Sequence, residues 1–192
     1  MSSKSQELQE IGVIHGRFQV LHNDHMKYLL AGKSRCSHLV VGITNPDPLL
    51  TKEDPANIHR SHRTENPLTY FERYLMINSA LTEMGFKHEE YSIVPFPINF
   101  PDLYQYYVPL EAVFYVTVYD SWGKRKIQLL ESAGLKVEVM WERPPEQKGL
   151  SGVFVRECIV RGETWEHMVP RSTARLLNEW NIPERLRKLS KT

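Results

Sequence analysis

Arg17, His22 and His25 fall within nine residues of one another, directly after an apolar run and a glycine, in the stretch Ile11-Gly12-Val13-Ile14-His15-Gly16-Arg17-Phe18-Gln19-Val20-Leu21-His22-Asn23-Asp24-His25. A guanidinium and two imidazoles, gathered where a strand gives way to a helix, suit the recognition of an oxyanion. The helix N-terminus adds unpaired backbone N–H groups and the positive end of the helix dipole, which favour phosphate. Three residues apart, His22 and His25 share the first helical turn and point at one anion. Gly16 permits the sharp turn and close ligand approach that such a loop needs. An ordinary polar βα loop is the bland alternative, and the spacing is too specific for it. A transition-metal site from His22, Asp24 and His25 is the other, but no third histidine stands at ligand spacing to complete it.

A second constellation follows far along the chain, at Leu150-Ser151-Gly152-Val153-Phe154-Val155-Arg156. A serine N-cap, a glycine and an arginine one turn inside a helix make another anion site. Alone the pattern is common; beside the first it describes a cleft that grips a polyphosphate from two sides. No Ser-His-Asp or Cys-His arrangement for nucleophilic catalysis is evident. The chemistry indicated is one that positions reactants and neutralises charge.

The run Gly16-Arg-Phe-Gln-Val-Leu-His22-Asn-Asp24-His25 resembles the H-x-G-H signature of the nucleotidyltransferase superfamily, in particular the GRFQP-x-H-x-GH pattern of archaeal-type nicotinamide mononucleotide (NMN) adenylyltransferases. Asp24 stands where that family has glycine. Residues 150–156 resemble its I-S-G-T-x-I-R motif, with Val153 in place of threonine. Glu65-Asn-Pro-Leu-Thr-Tyr-Phe-Glu-Arg73 and Gly162-Glu-Thr-Trp-Glu-His-Met-Val-Pro170 are similar to two further family segments, so the likeness spans about residues 10–180.

The resemblance implies an enzyme that transfers a nucleotidyl group from a nucleoside triphosphate to a small phosphate-bearing acceptor and releases pyrophosphate. ATP with NMN is the default pair. CTP with a small phosphonate or phosphorylated metabolite is the alternative, since the same group includes such cytidylyltransferases. A non-catalytic nucleotide sensor is a third reading, favoured if Asp24 and Val153 abolish turnover. The implied catalytic residues are Arg17, His22, His25 and Arg156. Gly16, Phe18, Ser151 and Gly152 join them in binding the nucleotide. Mg²⁺ is bridged by the substrate phosphates, with Asp24 a possible ligand, or else a capping acid favoured by the helix dipole. Asn99, Tyr104 and Arg63 are the acceptor candidates. Tyr104 takes the place of a family tryptophan that stacks on nicotinamide, and Tyr119-Asp-Ser-Trp-Gly-Lys124 replaces a family S-G-N-P segment.

The elements that must position these groups are legible as alternating strands and helices. Strands are expected at about 10–15, 38–44, 91–95, 112–118 and 136–140. Helices are expected at 23–33, 67–84 with Asn66 as N-cap, 122–133, 152–161 and 170–189, with a short helix from Asp102. The strand at His38-Leu39-Val40-Val41-Gly42-Ile43-Thr44 is almost wholly apolar, as in a parallel sheet covered on both faces. The pattern predicts an α/β, Rossmann-like, doubly wound parallel sheet of about five strands with C-terminal helices. Residues 1–8 read as a disordered tail. The loop 45–66, with His59, Arg60, His62 and Arg63, is polar and long enough to be functional.

With 192 residues, 41% hydrophobic and 24% charged, the chain suits one soluble domain with its own core. A formal net charge of +1 gives no bulk electrostatic case for nucleic acid or an anionic membrane. No apolar run is long enough to span a membrane. Cys36 and Cys158 read as reduced, buried thiols. A cytoplasmic location and a homo-oligomeric state are expected.

Overall fold

The computed structural model describes residues 8–51 and 65–191. Residues 1–7 of the expected 1–8 tail and the loop residues His59, Arg60, His62 and Arg63 lie outside them. Five parallel strands form one sheet: β1 (Gln9–Gly16), β2 (Cys36–Ile43), β3 (Tyr91–Pro95), β4 (Val113–Val118) and β5 (Lys136–Glu142), in the order β3-β2-β1-β4-β5. The helices are α1 (Asn23–Lys33), α2 (Tyr70–Glu83), α3 (Ser121–Ser132), α4 (Gly152–Arg161), α5 (Arg171–Glu179) and α6 (Ile182–Leu189).

Neighbouring strand residues send their side chains to opposite faces, and both faces are covered. Ile14, Val41 and Tyr115 join the core under α1, α2, α4, α5 and α6, whereas Val13, Val40 and Phe114 join the core under α3. Burial on both sides explains why these strands read as continuous apolar runs.

The strand order reverses direction at β1, from which β2 and β4 lie on opposite sides. β1 pairs with β2 as far as Gly16↔Ile43, but with β4 only through Gly12↔Val113 and Val13↔Phe114. Beyond Val13 the two strands part. A crevice therefore opens at their carboxyl ends, where ligands bind in open α/β sheets.

Most boundaries shift by only one or two residues, but two expected helices differ in form. Helix α2 starts at Thr69, not Asn66, because Thr69 and Glu72 close a capping box: Thr69 Oγ1 accepts Glu72 N–H at 3.2 Å and Glu72 Oε2 accepts Thr69 N–H at 2.8 Å. The expected helix 170–189 is two, broken at Asn181, which sits at φ +53. Pro183 explains the break, since it fits a first turn but not a helix interior. Cys36 and Cys158 are free and buried, as expected.

Candidate active site

A cleft of about 580 Å³ fills the crevice, within the usual range for small-molecule sites. Its wall is the loop from Gly16 to His22. That loop folds in on Phe18, fully buried at φ +52, whose ring lies against Gly16 so closely that a Cβ there would meet it at 3.0–3.3 Å. Two buried clamps fix the loop. The Gln19 amide pairs with the backbone of Leu68, giving and receiving hydrogen bonds of 2.9 Å. The Arg73 guanidinium, 1% exposed, donates to the carbonyls of Arg17 at 3.0 Å, Thr44 at 2.7 Å and Asn45 at 2.7 Å. Burial pulls Arg73 down to about 10, which still leaves it charged at neutral pH.

The two histidines cap their own helix. His22 Nδ1 accepts the His25 N–H at 3.3 Å, and His25 Nδ1 accepts the His22 N–H at 3.4 Å. The rings stack with centroids 3.6 Å apart. Because each Nδ1 is an acceptor, each neutral ring carries its proton on Nε2. Burial takes His22 down to about 4 against a small opposing pull from Asp24. Burial also lowers His25, helped by His22 and Arg17 and opposed by the Val20 carbonyl. At neutral pH both are therefore uncharged Nε2–H donors, fixed in orientation by the helix they cap.

The second helix start faces the first. Ser151 caps α4, its Oγ accepting the Phe154 N–H at 3.2 Å. Gly152 lies on the Gln19–Val20 peptide, where a Cβ would meet the Val20 nitrogen at 3.0 Å. Asp24 joins the two starts. Its Oδ2 accepts the Leu150 N–H at 2.7 Å, while its Oδ1 pairs with Lys27 at 2.6 Å. Gly149, at φ +70, passes directly over the Asp24 carboxylate, a position no Cβ would share. A third helix start also reaches the cleft, one that spacing alone did not single out. Asp120 caps α3 through Gly123 N–H at 2.9 Å and pairs with Lys148 at 3.0 Å.

Gly16, Arg17, Phe18, His22, His25, Ser151 and Gly152 thus line one cleft. Arg156 stands just behind it, 6% exposed, donating to the Gln19 carbonyl and to Glu65 Oε2 at 2.6 Å. Arg17 reaches the same residue, with Nη1 on the Glu65 carbonyl at 3.3 Å and Nη2 at 3.9 Å from Oε2. Sequence reasoning did not single out Glu65, whose only signal was its place before the Asn-Pro segment.

The two described acceptor candidates do not line the cleft. Tyr104 is 1% exposed, stacked on Phe96 at 4.7 Å in the core, with its hydroxyl donating to the Ile98 carbonyl. It offers no free face for stacking, contrary to expectation, because the 3₁₀ turn Pro101–Tyr106 folds it inward. Asn99 lies in the turn before it and does not line the cleft. Arg63 falls outside the described residues. As for a metal, both oxygens of Asp24 are already engaged, and among the described residues no group of three or more His, Cys, Asp and Glu is placed to hold one.

The sequence profile described as cytidylyltransferase-like matches residues 13–157. The chain belongs to the cytidylyltransferase-like family. Among curated members it is 49% identical over 183 residues to a phosphonoformate cytidylyltransferase of Streptomyces viridochromogenes, covering 95% of this chain and 98% of that one. It is 32% identical over 181 residues to a nicotinamide-nucleotide adenylyltransferase of Thermococcus kodakarensis, covering 93% and 88%. A crystal structure of a bifunctional NMN adenylyltransferase/ADP ribose pyrophosphatase from Francisella tularensis superposes with a TM-score of 0.67 at 14% identity, covering 95% of this chain and 52% of that one, a likeness of fold. This cytidylyltransferase-like chain is a nucleotidyltransferase, as its named relatives are. Among the described residues, none of its helices is long and apolar enough to cross a membrane.

Proposed function

We propose that the chain is a cytidylyltransferase that transfers CMP from CTP to a small phosphonate or phosphorylated acid. The observation that carries this reading is the 49% identity, end to end, with a phosphonoformate cytidylyltransferase. Tyr104 supports it: a ring acceptor such as NMN has no exposed stacking platform there.

In the proposed reaction a phosphonate oxygen of the acceptor attacks the α-phosphorus of CTP. The bond from that phosphorus to the bridging oxygen breaks, pyrophosphate leaves with the electron pair, and a new P–O–P anhydride joins CMP to the acceptor. No side chain need form a bond. The Nε2–H groups of His22 and His25 would donate to the α- and β-phosphates, and the backbone N–H groups at Ser151 and Gly152 to the far end of the triphosphate. Arg17 and Arg156 would neutralise charge as pyrophosphate departs, exchanging Glu65 for phosphate oxygens. Mg²⁺, bound to the triphosphate oxygens, would supply further charge neutralisation.

The test is pyrophosphate release with Mg²⁺, each of the four triphosphates, and an acceptor panel that includes phosphonoformate and NMN. CTP with phosphonoformate should be fastest. Release with ATP and NMN alone would overturn the proposal in favour of the adenylyltransferase pairing that the Thermococcus relative represents. Nucleotide binding with no release anywhere would favour a sensor.

A further inference from the structure

At the carboxyl end of β1 the cleft holds a group that this chemistry does not use. His15 is 3% exposed, and neither its Nδ1 nor its Nε2 meets a hydrogen-bond partner among the described residues. The residue lines the cleft, and its ring is tilted 45° against Phe96 with centroids 5.4 Å apart. Lys126, on the second turn of α3, lines the cleft too, close enough for its charge to act on the imidazole.

Native proteins satisfy nearly all buried polar groups, so a buried imidazole with both nitrogens idle asks for a reason. A structural role is a poor one. Among the described residues the other strand histidine, His38 on β2, shows what that looks like: its nitrogens engage the Glu89 carbonyl and the Ser92 hydroxyl, each at 2.9 Å. His15 sits instead at the point where the strand order reverses, buried at the cleft wall that Lys126 also lines.

We propose that His15 and Lys126 hold a second acidic group of the acceptor. The acceptor is then a small two-acid compound: one phosphonate or phosphate attacks, and a carboxylate or similar anion anchors at His15. Burial keeps the imidazole neutral, so it contributes a directed N–H while Lys126 contributes charge. The inference rests on the phosphonate reading above and adds the residues that select the acceptor.

Titration calorimetry on the full chain tests it, with phosphonoformate against methylphosphonate, which lacks the carboxylate, each with and without the α,β-methylene analogue of CTP. Phosphonoformate should bind at least about tenfold more tightly, the margin expected of a hydrogen bond to a charged group. His15→Leu should erase that margin and His15→Gln should keep most of it. Lys126→Gln, a change at a half-buried position on the second turn of α3, should reduce it as well, and it carries the test if His15→Leu fails to fold. Equal affinity of the wild type for both compounds, no binding of either, or a margin untouched by these variants would overturn the inference. Failure of the cytidylyltransferase reading looks different: the two-acid preference persists, and CTP yields no pyrophosphate.

Discussion

Asp24 accepts the backbone N–H of Leu150 at 2.7 Å, across 126 residues of sequence, and this bond sets the beginning of α4 beside the beginning of α1. A carboxylate next to a triphosphate would be repulsive if it faced the ligand. Here one oxygen is spent on Leu150 and the other on Lys27, so the acid works as a staple between two anion-binding helix starts.

Asp24→Ala should therefore cost stability first. Leaving the Leu150 N–H unpaired costs about 1–2 kcal/mol, which lowers the melting temperature by roughly 2–8 °C in a domain of this size. Burial raises the Asp24 carboxyl, but the hydrogen bonds from Lys27 and Leu150 outweigh it and hold it below its ordinary 3.8. Its contribution is thus present above that ordinary value and lost as pH falls through the lower folded one. The stability difference between wild type and Asp24→Asn, followed by chemical denaturation, should shrink over that acid window.

His22 and His25 should be separable by their two jobs. His25→Ala should reduce turnover by about a hundredfold, the usual loss for one oriented donor, with the fold intact by circular dichroism. His22→Ser keeps a good N-cap and removes the Nε2–H, so turnover should fall while stability holds. Turnover near wild type in either variant would remove that ring from the mechanism.

The same rings fix a pH dependence. The unfolded chain protonates His22 near 6.5, whereas the folded chain resists until about 4. Below pH 6.5 the unfolded state binds more protons, so stability falls as pH drops through this window and is complete above it. Denaturant midpoints measured from pH 7.5 to 4.5 should decline, and the decline should be smaller in His22→Ser.

Glu65 pairs with both Arg17 and Arg156, the two cations proposed to meet the departing pyrophosphate. Glu65→Gln should tighten nucleoside triphosphate binding several-fold by titration calorimetry, because two cations lose an internal partner. Arg156→Ala should weaken it and also destabilise the fold by about 1–3 kcal/mol, since it strips a donor from the buried Gln19 carbonyl.

Tyr104→Phe should leave acceptor KM unchanged and cost about 1 kcal/mol of stability through the lost bond to the Ile98 carbonyl. A raised KM would restore it as an acceptor contact.

Much of this molecule was legible in its residues. The strands announced themselves because burial on both faces makes them unbroken apolar runs. The α1 start was legible because an arginine and two histidines at those offsets have few other uses, and the α4 start, common by itself, became legible beside it. What stayed hidden depends on contacts between distant segments. Nothing near Asp24 in sequence names Leu150, and nothing near Glu65 names Arg156. A pair of histidines capping each other is an unusual box that the common cap residues do not suggest. Tyr104 misled because an aromatic residue in a proline-rich turn reads the same whether it faces ligand or core. His15 looked like the end of a strand, and only its unpartnered nitrogens set it apart.

In the proposed complex two helix beginnings share one triphosphate. A crystal structure with the α,β-methylene analogue of CTP measures this directly. It should place the α- and β-phosphates within hydrogen-bond reach of the His22 and His25 Nε2 atoms, and the remaining phosphate on the Ser151–Gly152 backbone. A triphosphate bound to α1 alone, or outside the crevice between β1 and β4, would contradict it.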